Sequence, residues 1–246
     1  MLHVPRPVRF TILVALAVVS LIATFAFVPH FPQDPRYHEF AGPRAFVVWS
    51  NLGFLIVALL GFASMRTTAS RLAPGDSIVP VWTFFIGILL TFFGSFWYHL
   101  EPDATRLIGD RAGIVVASAA LIAIVFGERP LLMLAVFELL GILSVVDWYL
   151  RDDLRLYGYV QFFPAVLICV AFVLGFRYTR SWILLLVIAG YAVAKVCELK
   201  DREILAAAGV SGHTLKHVVA ALATAGAWWW VVTREVSGPK DLIRRS

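Results

Sequence analysis

Eight apolar runs of about 20 residues leave this chain few folds to choose from. They cover residues 10–29, 45–65, 79–100, 106–126, 130–150, 157–176, 181–199 and 213–233. As a helix, each run is long enough to cross a hydrocarbon layer about 30 Å thick. A soluble protein with a large core would show its apolar residues in amphipathic stripes, whereas here they come in unbroken stretches. The composition agrees: 60% of residues are hydrophobic and 15% are charged, against roughly 45–50% and 25% in soluble domains. The expected class is all-α, a polytopic helical membrane bundle.

The joints between the runs are short and rich in Pro, Gly and charge, as in HFPQDPRYHEFAGPR, EPDAT and RDDLR. None is long enough to fold separately, so residues 1–246 read as one transmembrane domain. Arg6 and Arg9 precede the first run as in a signal peptide. That run exceeds the usual 7–15 residues, however, and no A-x-A site follows it, so a retained span is expected.

The charge of the loops predicts the orientation. With eight spans, both termini share a side with Arg6, Arg9, Arg66, Arg71, Arg129, Arg177, Arg180, Arg234, Lys240, Arg244 and Arg245. The opposite loops hold fewer basic residues, Arg36, Arg44, Arg106, Arg151, Arg155, Lys200 and Arg202, and most of the acidic ones. An excess of Lys and Arg marks the cytoplasm, so both termini are expected there. Arg-over-Lys usage and a single asparagine, Asn51, hint at a GC-rich bacterial genome, so the expected location of the spans is a bacterial inner membrane. The net charge of +5 comes from these scattered loop residues. It forms no patch for nucleic acid, and the expected partner is the lipid bilayer. Cys169 and Cys197 both fall inside apolar runs and read as buried small hydrophobes.

Against this apolar background a few polar side chains stand out. In GSFWYHLEPDATRLIGDR, Ser95 and His99 are four apart near the end of the third run, hence on one helix face. Asp110 follows about one turn into the fourth run. In SGHTLKHVVAALA, His213 and His217 repeat the four-residue spacing at the start of the eighth. Span parity brings the end of the third run and the starts of the fourth and eighth to the same membrane face, whichever face that is. With the termini cytoplasmic, it is the non-cytoplasmic one.

A single histidine near a span end is usually an interfacial residue. Three, with an intramembrane aspartate at the same depth, are the parts of a metal site. Three imidazoles leave a fourth zinc position open for water, whose pKa the ion lowers to about 7. Asp110 could orient or deprotonate that water. Ser95 could donate to the oxyanion formed when a carbonyl is attacked. No opposed histidine pair suggests bis-axial haem. Lys195 and Glu198, three apart, read equally as an ion pair near the site or as interfacial residues. Asp147, Arg155, Tyr157 and Gln161 read equally as an entrance lining or as a hydrogen-bonded loop, and His38 and Glu39 lie in a loop on the same side. Trp228, Trp229 and Trp230 read as an interfacial aromatic belt.

The pattern Ser-x-x-x-His, an Asp eleven residues after that His, and His-x-x-x-His in the last span resembles the alkaline ceramidase family. That family belongs to the CREST superfamily of membrane hydrolases, which includes the adiponectin-type receptors. YHEF, WSNLGF and SGHTLKHVVAAL look most like its bacterial branch. The resemblance spans about residues 30–235. It implies a seven-helix catalytic core over about residues 45–233, with 10–29 as an added span. It also implies one zinc ion held by His99, His213 and His217, with Asp110 acting on the zinc water and Ser95 at the carbonyl. The implied reaction is hydrolysis of the amide of an N-acyl lipid such as ceramide. Family ceramidases carry an acidic calcium cluster before the first core helix. Here Arg44 stands near one of its positions, with Asp34 and Glu39 close by, which argues against calcium dependence and against strict ceramide specificity. Two other functions fit the same residues: a receptor that keeps the metal for structure, and a transporter with His and Asp as a proton relay.

Overall fold

The computed structural model describes residues 4–237. Lys240, Arg244 and Arg245, which enter the orientation count, lie outside them. The chain runs through α1 (Arg6–Phe27), a 3-10 turn (Pro35–His38), α2 (Arg44–Trp49), α3 (Leu52–Ala63), α4 (Met65–Ser70), α5 (Val79–Leu100) and α6 (Ala104–Phe126). It continues through α7 (Pro130–Arg151), α8 (Arg155–Leu174), α9 (Trp182–Leu199), α10 (Asp201–Ala208) and α11 (Gly212–Thr233). Among the described residues, eight helical segments are long and apolar enough to cross a membrane, counting α2 and α3 as one. Their bounds fall within four residues of the apolar runs. Apolar side chains such as Leu139, Leu186 and Leu222 face outward, as a lipid solvent requires.

Two features depart from the sequence reading. The run at 45–65 is not one continuous helix, because Ser50 and Asn51 form a turn between α2 and α3. Asn51 caps the break from inside, donating to the carbonyls of Val47 (3.0 Å) and Val48 (3.2 Å). Cys169 is exposed on the outer face of α8, unlike Cys197, which is buried. A lipid environment satisfies an exposed thiol as well as a protein core does.

The tightest seam joins α5 to α6. A Cβ at Gly94 would run into the Gly109 carbonyl, and one at Gly113 into the Thr91 backbone. Glycine lets the two backbones touch, as small residues do at membrane helix interfaces. The helices enter and leave this seam through caps. Asp103 accepts from the Arg106 amide (2.8 Å) at the start of α6, and Gly127 (φ 70°) closes its end. α9 packs along α11 and barely touches α8. α1 sits at the periphery and is tied to the rest by polar contacts among others. Arg9 pairs with Glu128 (3.1 Å), and Tyr159 donates to the Ala17 carbonyl (2.9 Å).

Candidate metal centre

Two helices bring His99, His213 and His217 together. His99 comes from the last turn of α5, and the other two from the first turns of α11. One ring nitrogen from each lies within 4.8 Å of the others. His213 packs edge to face against both other rings and His99 is tilted on His217, with centroids 4.8–5.0 Å apart, and the residues His99, His213 and His217 are 1%, 4% and 3% exposed.

Their hydrogen bonding shows what they lack. Both ring nitrogens of His99 and the Nε2 of His213 are buried with no protein partner. Buried polar atoms are normally satisfied, and each one left without a partner costs about 1–3 kcal/mol. Imidazole nitrogens aimed into one small volume are the donor set that a transition-metal ion takes. These residues therefore fit a bound metal ion.

His217 is held differently. Its Nδ1 lies 2.8 Å from the Ser50 hydroxyl and 3.2 Å from the Val47 carbonyl oxygen. Ser50 gives its own proton to the Val47 carbonyl at 2.7 Å. Both neighbours of Nδ1 therefore accept, and Nδ1 must carry the hydrogen. That assigns the lone pair of the neutral ring to Nε2. A ligating histidine is commonly fixed in this way through its second nitrogen. The turn at Ser50–Asn51 makes the arrangement available, because it frees the Val47 carbonyl from regular helix pairing.

The start of α11 is fixed by two caps. Ser211 accepts from the Thr214 amide (3.0 Å), and Asp201 Oδ1 accepts from the His213 amide (2.8 Å). The other oxygen of Asp201 accepts from the Ala41 amide (2.8 Å). One carboxylate thus locks both the helix carrying two histidines and the segment that covers them. That segment, residues 28–43, lays Phe40 against His99 and His213, with ring centroids 4.7 and 4.3 Å away. Further ties are His38 Nδ1 to the Tyr98 hydroxyl (3.0 Å), Glu39 to Arg202 (3.0 Å) and the Leu154 amide to the Phe31 carbonyl (2.8 Å). Burial of His38 lowers its pKa below the ordinary imidazole value.

Asp110 and Ser95 are both buried. The Ser95 hydroxyl faces the Asp110 carboxylate across the glycine seam of α5 and α6. Beside Asp110, Arg111 is enclosed by Trp148 and Tyr157, its guanidinium 3.7 and 4.7 Å from their ring centres. Arg111 also donates to Gln33 of the covering segment.

Five sequence-predicted residues are thus placed as follows. The three histidines meet, and the Ser95–Asp110 pair lies on α5, which also carries His99, and on its neighbour α6. Lys195 and Glu198 do form an ion pair (2.7 Å). Arg155 pairs with Asp153 at the turn between α7 and α8, and Asp147 with Arg151 along the last turn of α7. Asp34 is taken up by Arg36, and Glu39 by Arg202. Sequence reasoning passes over Ser50, Asp201, Phe40 and Lys216. Lys216 carries a legible signal, since a cation inside an apolar span is rare. Ser50 offers only a polar pair within an apolar run, and Phe40 offers none.

No protein-family model matches the chain, and no curated protein matches it.

Proposed function

We propose that this chain is a zinc-dependent membrane hydrolase that cleaves the amide bond of a ceramide-like N-acyl lipid. The observation that carries the reading is the buried trio of histidines, in which both ring nitrogens of His99 and the Nε2 of His213 have no protein partner. A zinc ion in such a site supplies a Lewis acid and a water acidic enough to react near neutral pH.

The chain's own residues account for the remaining chemistry. Asp110 takes a proton from the attacking water and returns it to the nitrogen as the carbon–nitrogen bond breaks, giving a fatty acid and an amine. Ser95 donates a hydrogen bond to the carbonyl oxygen as negative charge gathers on it. Phe40 and the covering segment exclude bulk water. The peripheral place of α1 supports reading the seven spans from α2 to α11 as a CREST-like catalytic core with α1 added to it. The loop charges support cytoplasmic termini and a site toward the opposite face, and Arg-over-Lys usage supports a bacterial inner membrane.

The test is purified protein assayed for zinc and for hydrolysis of a panel of N-acyl lipids, alongside Asp110→Asn. A hydrolase is expected to lose about 10²–10⁴-fold in turnover on this change while keeping its metal. Full turnover by Asp110→Asn would overturn the mechanism. If neither protein turned over any amide while both held metal, the receptor reading would take its place.

A further inference from the structure

Beside the histidines lies a second polar cluster. Glu198 on α9 accepts from Lys195 on the same helix at Oε2 (2.7 Å) and from Lys216 on α11 at Oε1 (2.6 Å). The Tyr37 hydroxyl of the covering segment approaches Oε1 at 3.4 Å. Lys216 falls between His213 and His217 in sequence, so it shares their depth. It is close enough to act electrostatically on Asp110 and on all three histidines. Lys195, at the other end of the cluster, reaches toward the rings of Tyr191 and Phe162 (5.9 and 5.8 Å). It therefore stands where α8 and α9 barely touch.

Burying charge in a span is costly, and a structural device would neutralise itself with one lysine and one glutamate. This cluster contains two lysines and one glutamate, a net charge of +1. Each ammonium has three N–H groups, and among the described residues each gives one to Glu198 and none to any other protein group. Four donors thus remain, held by one carboxylate at the edge of the metal centre. The neighbouring buried residues Asp110 and Arg111 carry opposite charges and together leave this excess unchanged.

We propose that Lys195 and Lys216 bind a carboxylate on the amine half of the substrate. The substrate class is then an N-acyl amino acid rather than a neutral N-acyl alcohol amine. This rests on the hydrolase reading, keeps its amide chemistry and replaces the neutral ceramide-like amine half with an anionic one. A net charge of +1 matches a monoanion, and the two ammoniums supply the donors that a carboxylate's two oxygens accept. Glu198 holds the lysines in place and competes with the ligand for them.

The experiment measures dissociation constants of N-palmitoylglycine and N-palmitoylethanolamine for the full-length protein in detergent at neutral pH. Wild type, Lys195→Gln and Glu198→Gln are compared, each checked for an unchanged melting curve. Wild type is expected to favour the anionic amide by about tenfold or more, or 1.4 kcal/mol per factor of ten. Lys195→Gln is expected to reduce that preference, and Glu198→Gln to increase it. A purely structural triad would weaken binding in both variants alike. Equal affinities in wild type, or a preference unchanged in Lys195→Gln, would overturn the proposal. These results stand whether or not either amide is cleaved. Absent turnover of both would count against the hydrolase reading alone.

Discussion

His217 Nδ1 and the Ser50 hydroxyl sit 2.8 Å apart, joining α11 to the break between α2 and α3. The contact fixes the tautomer of one member of the histidine trio and aims its lone-pair nitrogen at the other two. A site assembled from α5 and α11 thus depends on a third segment that contributes no histidine.

Ser50→Ala removes one acceptor from Nδ1 and leaves the Val47 carbonyl at 3.2 Å. Metal affinity is expected to fall about 10–100-fold, as when an outer hydrogen-bond partner is lost. Competition against a graded series of chelators checks this. Ser50→Thr keeps the hydroxyl and is expected to restore most of the affinity.

Gly94 tests the seam that positions Ser95 and Asp110. A methyl group there meets the Gly109 carbonyl and the Asp110 amide. Gly94→Ala is expected to destabilise the protein by about 1–3 kcal/mol, the usual range for overpacking. Thermal unfolding in detergent reads the loss. Turnover is expected to drop further than stability does, because the helix carrying Asp110 must shift.

The turn between α7 and α8 carries an acid-sensitive contact. Arg155 holds the Asp153 carboxyl down at about 2, below its ordinary 3.8. A carboxylate with a lowered folded-state pKa contributes stability above the unfolded value and loses it as pH falls through the folded value. The melting temperature of Asp153→Asn is therefore expected below that of wild type at pH 7, with the gap narrowing as pH falls from about 4 toward 2. A gap that does not change with pH would mean that the ion pair contributes nothing.

The spans were legible in the sequence because lipid imposes a simple length and polarity rule on every residue of a run. The meeting of His99, His213 and His217 was legible because span parity and four-residue spacing are both local facts. The break at Ser50–Asn51 was not. Two polar residues in a 20-residue apolar run leave its hydropathy unchanged, and the break is set by hydrogen bonds to Val47 and Val48. The shielding of two histidines by Phe40 was not legible either. It depends on a loop held in place by Asp201 and Arg202, some 160 residues away in the chain.

The most direct test concerns the trio itself: metal content per chain in wild type and in the double variant His213→Ala, His217→Ala. Both are purified without chelator, equilibrated with zinc and dialysed. Wild type is expected to retain about one zinc ion per chain, and the variant, left with a single histidine ligand, almost none. Wild type without stoichiometric metal, or a double variant that keeps it, would contradict the assignment of these three histidines as a metal centre.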